Sequence, residues 1–429
     1  MTVLHEFTGD PNNAWGLGED NSLILDGTGR LYGTTPGGGL SGKGTIFSIK
    51  TDGSGFELLH SFNGADGSSP FAGLAMDTSG NLYGTNLMEV FTIRTDGTGF
   101  AVLHIFSGGV GDATSVLSPV ILDGSGNLYG TSYNGGVDDL GTVYKLKTDG
   151  SGFSLLHSFT NGANHPNAGL VLDSTGSLYG VTQNGGGIFT IKTDGTGFSF
   201  LRFLAGSDGY PPRAGLMLDG IGNLYGTTYS GGSGKTGTVF SMKTDGSNFV
   251  VLHSFSVSLG VGDGENPDGT LILDGAGNLY GTTQYGGQST AGTIFTVKTN
   301  GTGYAVLSSF LLPDGSFPSG SLIQDGMGNL YGTNSIGGPA GRGTIFTVKP
   351  DGTAYSVLHA FLPAEGLYPN AGLILDNNGY LYGTAEGGGA GNYGAVFKIK
   401  TSGSGFALLH SFGFETPYPE APLILDNST

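Results

Sequence analysis

Cysteine is absent from this chain of 429 residues, tryptophan occurs once, and positive charge is scarce. The lack of cysteine excludes disulfides, thiolate metal sites and a cysteine nucleophile. With 16 Lys and Arg against 34 Asp and Glu, the net charge is −18, which argues against a nucleic-acid partner and against attraction to an anionic membrane. No apolar run approaches the roughly 20 residues that a membrane span requires, so we expect no membrane insertion by this chain.

Glycine, in contrast, is very common and accounts for 85 residues. It follows no three-residue register and is accompanied by only 17 prolines, which excludes a collagen-like chain. The 26 Phe and 19 Tyr supply enough apolar surface for a large core. The composition therefore predicts a folded, globular protein and not a disordered one.

The triplet Leu-Tyr-Gly recurs eight times along the chain, and a repeat of this kind has to be recognised before any local pattern is interpreted. The eight tyrosines are Tyr32, Tyr83, Tyr129, Tyr179, Tyr225, Tyr280, Tyr331 and Tyr382. The first and the last are 350 residues apart across seven intervals, which gives a mean period of 50 residues. Around each triplet the same segments return in the same order, so each period is one structural unit.

Each unit contains four short segments of β-branched, aromatic and leucine residues bounded by Gly, Asp, Asn or Pro, which is typical of strands. The motif Asp-x-x-Gly-Asn, as at 123–127, joins the first two segments, and Thr-Asp-Gly-Thr-Gly, as at 95–99, joins the last two. Both motifs indicate hairpin turns, because Asp and Asn bond to their own backbone while Gly adopts the positive φ that such turns require. No segment keeps a helical apolar period, so no helix is predicted.

Four antiparallel strands per unit predict the blade of a β-propeller. The expected fold class is therefore all-β, an eight-bladed β-propeller with four-stranded antiparallel blades of about 50 residues. A nine-bladed ring is less favoured because it would need two strands that the sequence lacks. Kelch repeats share the period but would need a tryptophan in every blade, and this chain has one.

We expect a single domain over residues 1–429. The predicted blades span approximately 20–62, 71–106, 117–159, 167–204, 213–255, 269–310, 319–361 and 370–412. An extra outer-type strand at 3–7 precedes the first blade, and an extra inner-type strand at 422–426 follows the last. The two extra strands are expected to meet where the ring closes.

Antiparallel order places two kinds of connection on opposite faces of the ring. The hairpin face carries the first-to-second and third-to-fourth turns, which are nearly identical in every unit. Its aspartates are expected to cap the turns, and its single Lys or Arg per blade, such as Lys147, is expected to pair with them in an exposed ionic rim. The variable face carries the second-to-third and blade-to-blade loops, and recognition is expected where loops differ on a rigid frame.

The loops of the variable face contain 17 acids and four Lys or Arg, a surface that repels polyanions and attracts neutral or cationic partners. Acids beside aromatic side chains suit a neutral glycan, whose hydroxyls bond to carboxylates while its apolar ring face stacks on the aromatics. The candidate ligand-binding residues are Trp15, Tyr133, His165, Tyr210, Arg213, Tyr229, Tyr285, Tyr368 and Tyr418. A protein is the other class of partner that this face suits.

Two further kinds of site residue are considered in the same sequence. Asp263, Glu265 and Asp268 place three carboxylates within six residues, and hard oxygen ligands at this density make Ca²⁺ a candidate, although no cofactor is required. One position in the Val-Leu-His-x-Phe segment is occupied by His5, His60, His104, His157, His253, His359 and His410. A residue repeated in this way is interpreted as packing between blades, so His165 is the one histidine proposed as a base or ligand.

The repeat resembles the bacterial GloVer tandem-repeat proteins over nearly the whole chain. Its signature here is Asp-x-x-Gly-Asn-Leu-Tyr-Gly-Thr-Thr at 219–228, together with Lys-Thr-Asp-Gly-x-Gly-Phe at 147–153. The resemblance implies a secreted or cell-surface, propeller-like protein and carries over no catalytic residue. Since no apolar export signal is seen at the N-terminus, the chain is expected to be the repeat region of such a protein.

The function expected from these observations is that of an extracellular binding or structural module with its ligand contacts on the variable face. Two alternatives stay open. A carbohydrate-active enzyme, either a glycoside hydrolase or a polysaccharide lyase, would use loop carboxylates of the same face, but the sequence does not identify which. A purely structural surface repeat would bind no ligand there.

Overall fold

The computed structural model describes residues 23–109, 111–256, 262–318, 320–412 and 424–425. Over these residues the chain forms strands joined by turns, with a single 3₁₀ turn at Gly206–Asp208. No helix within those ranges is long and apolar enough to cross a bilayer. The predicted all-β class is confirmed.

The four strands of the blades recur in a fixed order. The first strands are Ile24–Leu25, Ala75–Met76, Ile121–Leu122, Val171–Leu172, Met217–Leu218, Ile272–Leu273, Ile323–Gln324 and Ile374–Leu375. The second strands are Arg30–Thr35, Asn81–Asn86, Asn127–Ser132, Ser177–Val181, Asn223–Thr228, Asn278–Gly286, Leu330–Asn334 and Tyr380–Ala385. The third strands are Thr45–Lys50, Glu89–Arg94, Thr142–Lys147, Gly187–Lys192, Lys235–Lys243, Thr293–Lys298, Thr344–Val348 and Ala395–Lys400. The fourth strands are Glu57–Ser61, Ala101–Ile105, Ser154–Ser158, Ser199–Phe203, Val250–Ser256, Ala305–Ser309, Ser356–Ala360 and Ala407–Ser411.

Every blade keeps the sheet order first, second, third, fourth, and all four strands are antiparallel to their neighbours. The register repeats as well: in blade three, Tyr129 lies opposite Ile121 on one side and Lys145 on the other. A bulge between the third and fourth strands recurs in all eight blades and increases their twist. The eight-bladed propeller predicted from the repeat is confirmed.

Four short strands lie outside this pattern. Ala113–Thr114 pairs with Asn134–Gly135 in the loops of blade three, and Gly264–Pro267 pairs with the second strand of blade six. At the other end of the chain, Ile424–Leu425 pairs in parallel with Ile24–Leu25 and makes the sheet of blade one five-stranded. This pair lies within the inner-type strand predicted at 422–426, while the outer-type strand predicted at 3–7 lies outside the described residues.

Eight apolar clusters join the blades, and each cluster spans two successive blades. The last of them connects blade eight to blade one, where Tyr382 packs with Leu25 and Phe47. Lys398 of blade eight also donates from Nζ to the Thr51 carbonyl of blade one at 2.8 Å. An open rod of eight blades would have only seven such interfaces, so the ring is closed.

The glycine of Leu-Tyr-Gly determines how the second and third strands pack. In blade five, Gly226 lies opposite Phe240, and a Cβ added to it would lie 2.6 Å from Phe240 Cζ and 3.1 Å from Leu216 Cδ2. The aromatic ring therefore covers the bare glycine. The same contact occurs in all eight blades, with Tyr144 in place of Phe in blade three.

The tyrosine of the same triplet anchors the first hairpin. In every blade its hydroxyl donates to Oδ2 of the turn aspartate at 2.8–3.2 Å. The other carboxylate oxygen accepts backbone N–H groups, as Asp123 Oδ1 does from Ser125 and Asn127 at 2.9 Å. The turn-capping role predicted for these aspartates is confirmed.

The ionic rim predicted on the hairpin face is wrong. In the second hairpin, Asp149 accepts the hydroxyl and the N–H of Ser151 at 2.6 and 2.9 Å, and the other blades repeat this contact. Within the described residues, none of the hairpin-face cations represented by Lys147 forms an ion pair. The physical reason is that each carboxylate is already satisfied by its own turn.

The repeated histidine packs between neighbouring blades. The ring stacks on an aromatic ring of the next blade, with centroids 3.4–3.6 Å apart, in the pairs His60–Phe100, His104–Phe153, His157–Phe198, His253–Tyr304, His359–Phe406 and His410–Phe56. In blade four the histidine is replaced by Arg202, whose guanidinium lies 3.8 Å over the ring of Phe249. The interpretation of these histidines as packing residues is confirmed.

Gly226→Ala is expected to destabilise the protein by about 1–3 kcal/mol, because the new methyl overlaps Phe240 and Leu216 in a closed core. The matched control is Gly220→Ala in the adjoining turn, where no atom lies within 4 Å of the added Cβ. The control should change the stability by less than about 0.5 kcal/mol. Urea denaturation followed by circular dichroism measures both, and equal stabilities of the two variants would contradict the packing role.

The pH dependence of the unfolding free energy tests the packing of His157 against Phe198. Burial lowers the pKa of His157 from 6.5 to about 4, and within the described residues no carboxylate lies within ion-pair distance of it. Between these two pKa values the unfolded chain binds a proton that the folded protein does not, so stability is lost as pH falls from 6.5 towards 4. His157→Phe keeps a ring against Phe198 and removes this loss.

The unfolding free energy of the wild type should therefore drop more between pH 7 and pH 4.5 than that of His157→Phe, by about 1 kcal/mol, since the ring is only half buried and partly screened by solvent. Urea denaturation at the two pH values measures the difference. Parallel pH profiles would show that His157 does not remain neutral in the folded ring.

Candidate functional site

On the variable face, the blade-to-blade loops fold against the end of the fourth strand. The Nε2 atom of the repeated histidine lies 3.0–3.3 Å from a loop carboxylate in the pairs His60–Asp66, His104–Asp112, His253–Asp263 and His359–Glu365. In blade four Arg202 donates from Nε and Nη2 to Asp208 at 2.9 and 2.6 Å. Five of the acids on this face therefore hold their own loops in place and are not displayed for a ligand.

In six of the blade-to-blade loops, one residue has a left-handed backbone conformation a few residues before the first strand of the next blade. We call these six the lip residues: Ser69, Ser115, His165, Asn266, Phe317 and Tyr368. Their φ angles lie between 53° and 58°, and five of the six precede a proline. A left-handed non-glycine residue is strained by about 1–3 kcal/mol, so the surrounding structure must hold each lip residue in place.

Backbone hydrogen bonds fix the lip residues from both sides. The His165 N–H donates to the Leu140 carbonyl at 2.8 Å, and the His165 carbonyl accepts from the Gln183 N–H at 3.0 Å. Tyr368 is held in the same way by Arg342 and Glu386 at 3.2 and 3.1 Å. The lip residues therefore lie at equivalent positions where the first and second strands of a blade meet the variable face.

The second hairpin of each blade offers a comparison within the same chain. It also contains a left-handed residue, and six of its eight examples are glycine: Gly55, Gly99, Gly152, Gly197, Gly303 and Gly405. In the lip position no described blade uses glycine, and blade five uses Pro211. A chain this rich in glycine places side chains at the lip despite the strain, and the six side chains differ in chemistry.

In blades five and six, several candidate residues come together. The guanidinium of Arg213 lies 3.7 Å over the ring of Tyr229, and Arg213 Nη1 lies 3.9 Å from Asp268 Oδ2. Tyr229 donates its hydroxyl to Gln284 Oε1 at 3.1 Å, while its carbonyl accepts from Asn266 Nδ2 at 2.8 Å. The Asp268 side chain is 2% exposed and that of Arg213 is 38% exposed, so a buried acid lies behind an accessible cation.

The other candidate aromatics lie on the same face but are more dispersed. Tyr133 packs against the lip residue His165 with ring centroids 4.5 Å apart, and Tyr285 packs edge-on against the lip residue Phe317 at 5.2 Å. The exposed fractions of Tyr210, Tyr285 and Tyr368 are 39%, 37% and 41%, which leaves their rings accessible to a ligand. Trp15 and Tyr418 lie outside the described residues.

His165 lies in a polar setting between blades three and four. Its Nδ1 is in hydrogen-bond contact with Asn164 Oδ1 and lies 3.2 Å from Asn184 Nδ2. Burial lowers the pKa of His165, so the ring is neutral at neutral pH. A neutral imidazole here can donate or accept a hydrogen bond from a ligand.

The carboxylates proposed for Ca²⁺ do not converge. Asp263 is hydrogen-bonded to His253 and accepts the hydroxyl of Tyr304, while Asp268 faces Arg213. Over the described part of the chain, no group of three His, Asp or Glu side chains has the arrangement of a metal site. Calcium binding by Asp263, Glu265 and Asp268 stays a prediction without support from this geometry.

Two other acids of the variable face, one buried and one partly buried, are hydrogen-bonded to amides. Glu89 Oε2 accepts from Asn86 Nδ2 at 2.7 Å, and Glu386 Oε2 accepts from Asn370 Nδ2 at 2.9 Å. Burial raises the pKa of both carboxyl groups. A raised pKa lets a carboxyl group retain its proton nearer neutral pH, which is the property that a general acid requires.

A groove on the hairpin face is the alternative location for a ligand-binding site. It has a volume of about 520 Å³ between blades six and seven and is lined by Asn278, Tyr280, Thr296, Met327, Asn329, Lys349, Pro350 and Asp351. Several of these residues belong to motifs that recur in the other blades, such as Asn-Leu-Tyr-Gly. The lining therefore carries little individual chemistry, and the variable face remains the stronger candidate.

Sequence reasoning named His165 and Tyr368 but missed the backbone position that they share with the other lip residues, because φ cannot be read from residue type and only the following proline marks the position. It named Arg213, Tyr229 and Asp268 but did not pair them. Gln284 and Phe317 were not identified at all, since a lone amide and a lone aromatic in a loop carry no pattern.

Comparison with known proteins gives a family and a fold. A family model described as Gloeobacter/Verrucomicrobia repeat matches residues 163–311 and 256–429. No curated protein matches the sequence. These matches concern the repeat and assign no residue a role.

Among solved structures, a puromycin hydrolase has a TM-score of 0.51 at 13% identity, over 87% of this chain and 59% of that chain. Virginiamycin B lyase from Staphylococcus aureus has a TM-score of 0.46 at 13% identity, over 73% of this chain and 90% of that chain. A nidogen/laminin complex has a TM-score of 0.38 at 18% identity, over 63% and 91%. At these identities the likeness to the hydrolase shows the fold alone.

Strain at the lip can be measured directly. Ser69→Gly is expected to stabilise the protein by about 0.5–1 kcal/mol, because glycine relieves the left-handed strain. Gly99→Ser, at φ 69° and with nothing closer than 3.8 Å to its new Cβ, should destabilise it by a similar amount. Urea denaturation of both variants measures the difference. A loss of stability in Ser69→Gly would show that this lip side chain is needed for folding, and would remove the argument that it is kept for recognition.

Proposed function

The chain belongs to the Gloeobacter/Verrucomicrobia repeat family, and we propose that it is an extracellular or cell-surface binding module whose ligand contacts lie on the variable face. The family membership confirms the resemblance drawn from the repeated motifs.

The lip residues are the observation that carries this proposal. Strained backbone that the fold holds in place is a feature of ligand-binding and catalytic sites. Here the strain recurs at one position of the blades, and the side chains range from Ser69 through His165 to Tyr368. A scaffold role would favour one residue type, as the glycine-rich second hairpin does. Differing side chains on a fixed backbone suit recognition.

The chemistry around the lip favours a glycan. Tyr285 and Tyr368 offer partly exposed aromatic faces on which the apolar face of a sugar ring can stack. Asn266, Gln284 and Asn370 supply amides beside them, which suit sugar hydroxyls. Uncharged donors, acceptors and aromatic faces dominate this set, so most units of the ligand are neutral.

An enzyme on the same face is the second candidate. It is favoured by Glu386, whose carboxyl group is held by Asn370 with a raised pKa beside the lip residue Tyr368. A glycosidase needs such an acid and a second carboxylate across the sugar. Sugar release from a polysaccharide by the wild type, lost in Glu386→Gln, would replace the binding module by this enzyme.

Tyr285→Ala is expected to weaken glycan binding by about tenfold or more, since stacking on an aromatic ring contributes on the order of 1–1.5 kcal/mol. The matched control is Met327→Ala, which removes an exposed side chain, 87% accessible, from the hairpin face. A glycan array identifies the ligand, and calorimetry with that ligand compares the variants with the wild type.

The control should bind as the wild type does. Equal weakening by Met327→Ala would place the ligand on the hairpin face. If the wild type binds no glycan on the array, with or without calcium, the chain is a structural repeat or has a protein partner, and the glycan proposal fails.

A further inference from the structure

Two arginines near the variable face, Arg202 and Arg213, each lie over an aromatic ring and close to an aspartate, but their contacts differ. Arg202 stacks on Phe249 at 3.8 Å and donates twice to Asp208, at 2.9 and 2.6 Å. Those contacts use the edge of the guanidinium that contains Nε and Nη2 and close the interface between blades four and five. Arg202 is therefore a structural residue with its donors engaged.

Arg213 has the same types of neighbour with an open geometry. It stacks on Tyr229 at 3.7 Å, but its closest approach to Asp268 is 3.9 Å, longer than a hydrogen bond. Its Nε is buried and, within the described residues, has no hydrogen-bond partner. A buried Nε without a partner is unusual, because buried polar atoms in proteins are normally hydrogen-bonded.

The position of Arg213 is individual and not part of the repeat. The corresponding residues at the start of the first strand segment in other described blades are Phe71, Leu117, Asn167, Asp268 and Asn370. No other described blade has a cation there. Arg213 of blade five and Asp268 of blade six thus occupy equivalent positions in neighbouring blades. The side chain of the lip residue Asn266 donates to the Tyr229 carbonyl and connects the loops of these two blades.

We propose that Arg213 binds a carboxylate of the ligand, so that at least one unit of the glycan is a uronic acid. A planar guanidinium fixed on an aromatic face presents its donor edge to a carboxylate in a fixed orientation. Asp268 lies behind it with 2% exposure and keeps the arginine oriented. The negative charge of this face disfavours ligands with several charges per unit, so a single carboxylate fits better than a phosphate.

The inference rests on the proposed glycan-binding function and is tested separately from it. The probes are a neutral oligosaccharide that carries one uronic acid and the same oligosaccharide with that carboxylate methyl-esterified, titrated by calorimetry at low and moderate salt. The wild type is expected to bind the acid form at least about tenfold more tightly than the ester, with a preference that shrinks as salt rises.

Arg213→Met should remove this preference by weakening the binding of the acid form more than that of the ester, and Arg213→Lys should retain part of the preference. The control is Lys235→Met, which removes the same charge from an exposed position on the same face of blade five. It should preserve the preference. Circular dichroism melting of each variant confirms that the ring is folded.

The outcomes separate the two proposals. Equal affinity of the wild type for both forms, or a preference that survives Arg213→Met, would overturn the carboxylate site and leave glycan binding intact. Binding of neutral glycans on the array with no binding of either probe would also remove only the carboxylate site. Absence of any glycan binding would remove both.

Discussion

An aromatic ring lying across a bare glycine is the contact on which the whole ring depends. It brings the second and third strands of each blade to a fixed separation, as Phe240 does over Gly226, and it fills the space that any side chain would occupy. Because the contact is the same in every blade, each blade offers the same apolar surface to the next, and eight equivalent clusters result. The cluster between blades eight and one is built from the same strands as the others, and the pairing of Ile424–Leu425 with Ile24–Leu25 adds a fifth strand to blade one.

On the variable face, side chains of the fourth strands stabilise the loops, and the lip residues are the ones proposed to contact a ligand. The pairs His253–Asp263 and Arg202–Asp208 use charged side chains near the outer edge to fasten the loops. Their carboxylates are satisfied, and their rings and guanidinium groups are stacked. With the loops fastened there, the lip residues can be held in a left-handed conformation that an unrestrained loop would relax.

The fold was predictable because it rests on patterns that repeat. Leu-Tyr-Gly and the two turn motifs recur eight times, so the strand order, the faces and the turn-capping aspartates followed from sequence. The ionic rim was predicted wrongly, because Asp149 accepts hydrogen bonds from Ser151 and does not pair with Lys147. Sequence spacing cannot decide whether a carboxylate bonds to its own turn or to a nearby cation. Candidate residues could be placed on the correct face, but the contact of Arg213 with Tyr229 joins loops whose sequences share no pattern.

Two arginines of the variable face differ in whether the polar atoms of their guanidinium groups are satisfied. Arg202 and Arg213 carry the same charge, stack on aromatic rings and face aspartates, but Arg202 occupies the repeated histidine position and Arg213 lies outside the repeat. In Arg202 two short hydrogen bonds complete the guanidinium edge, whereas in Arg213 a distance of 3.9 Å leaves it open. The exposed part of the Arg213 side chain, 38% of its surface, is therefore available to a ligand. In the hairpin turns the aspartates are satisfied by their own backbone and the residues repeat from blade to blade. The variable face is therefore the surface on which the side chains of the blades differ and can bind a ligand.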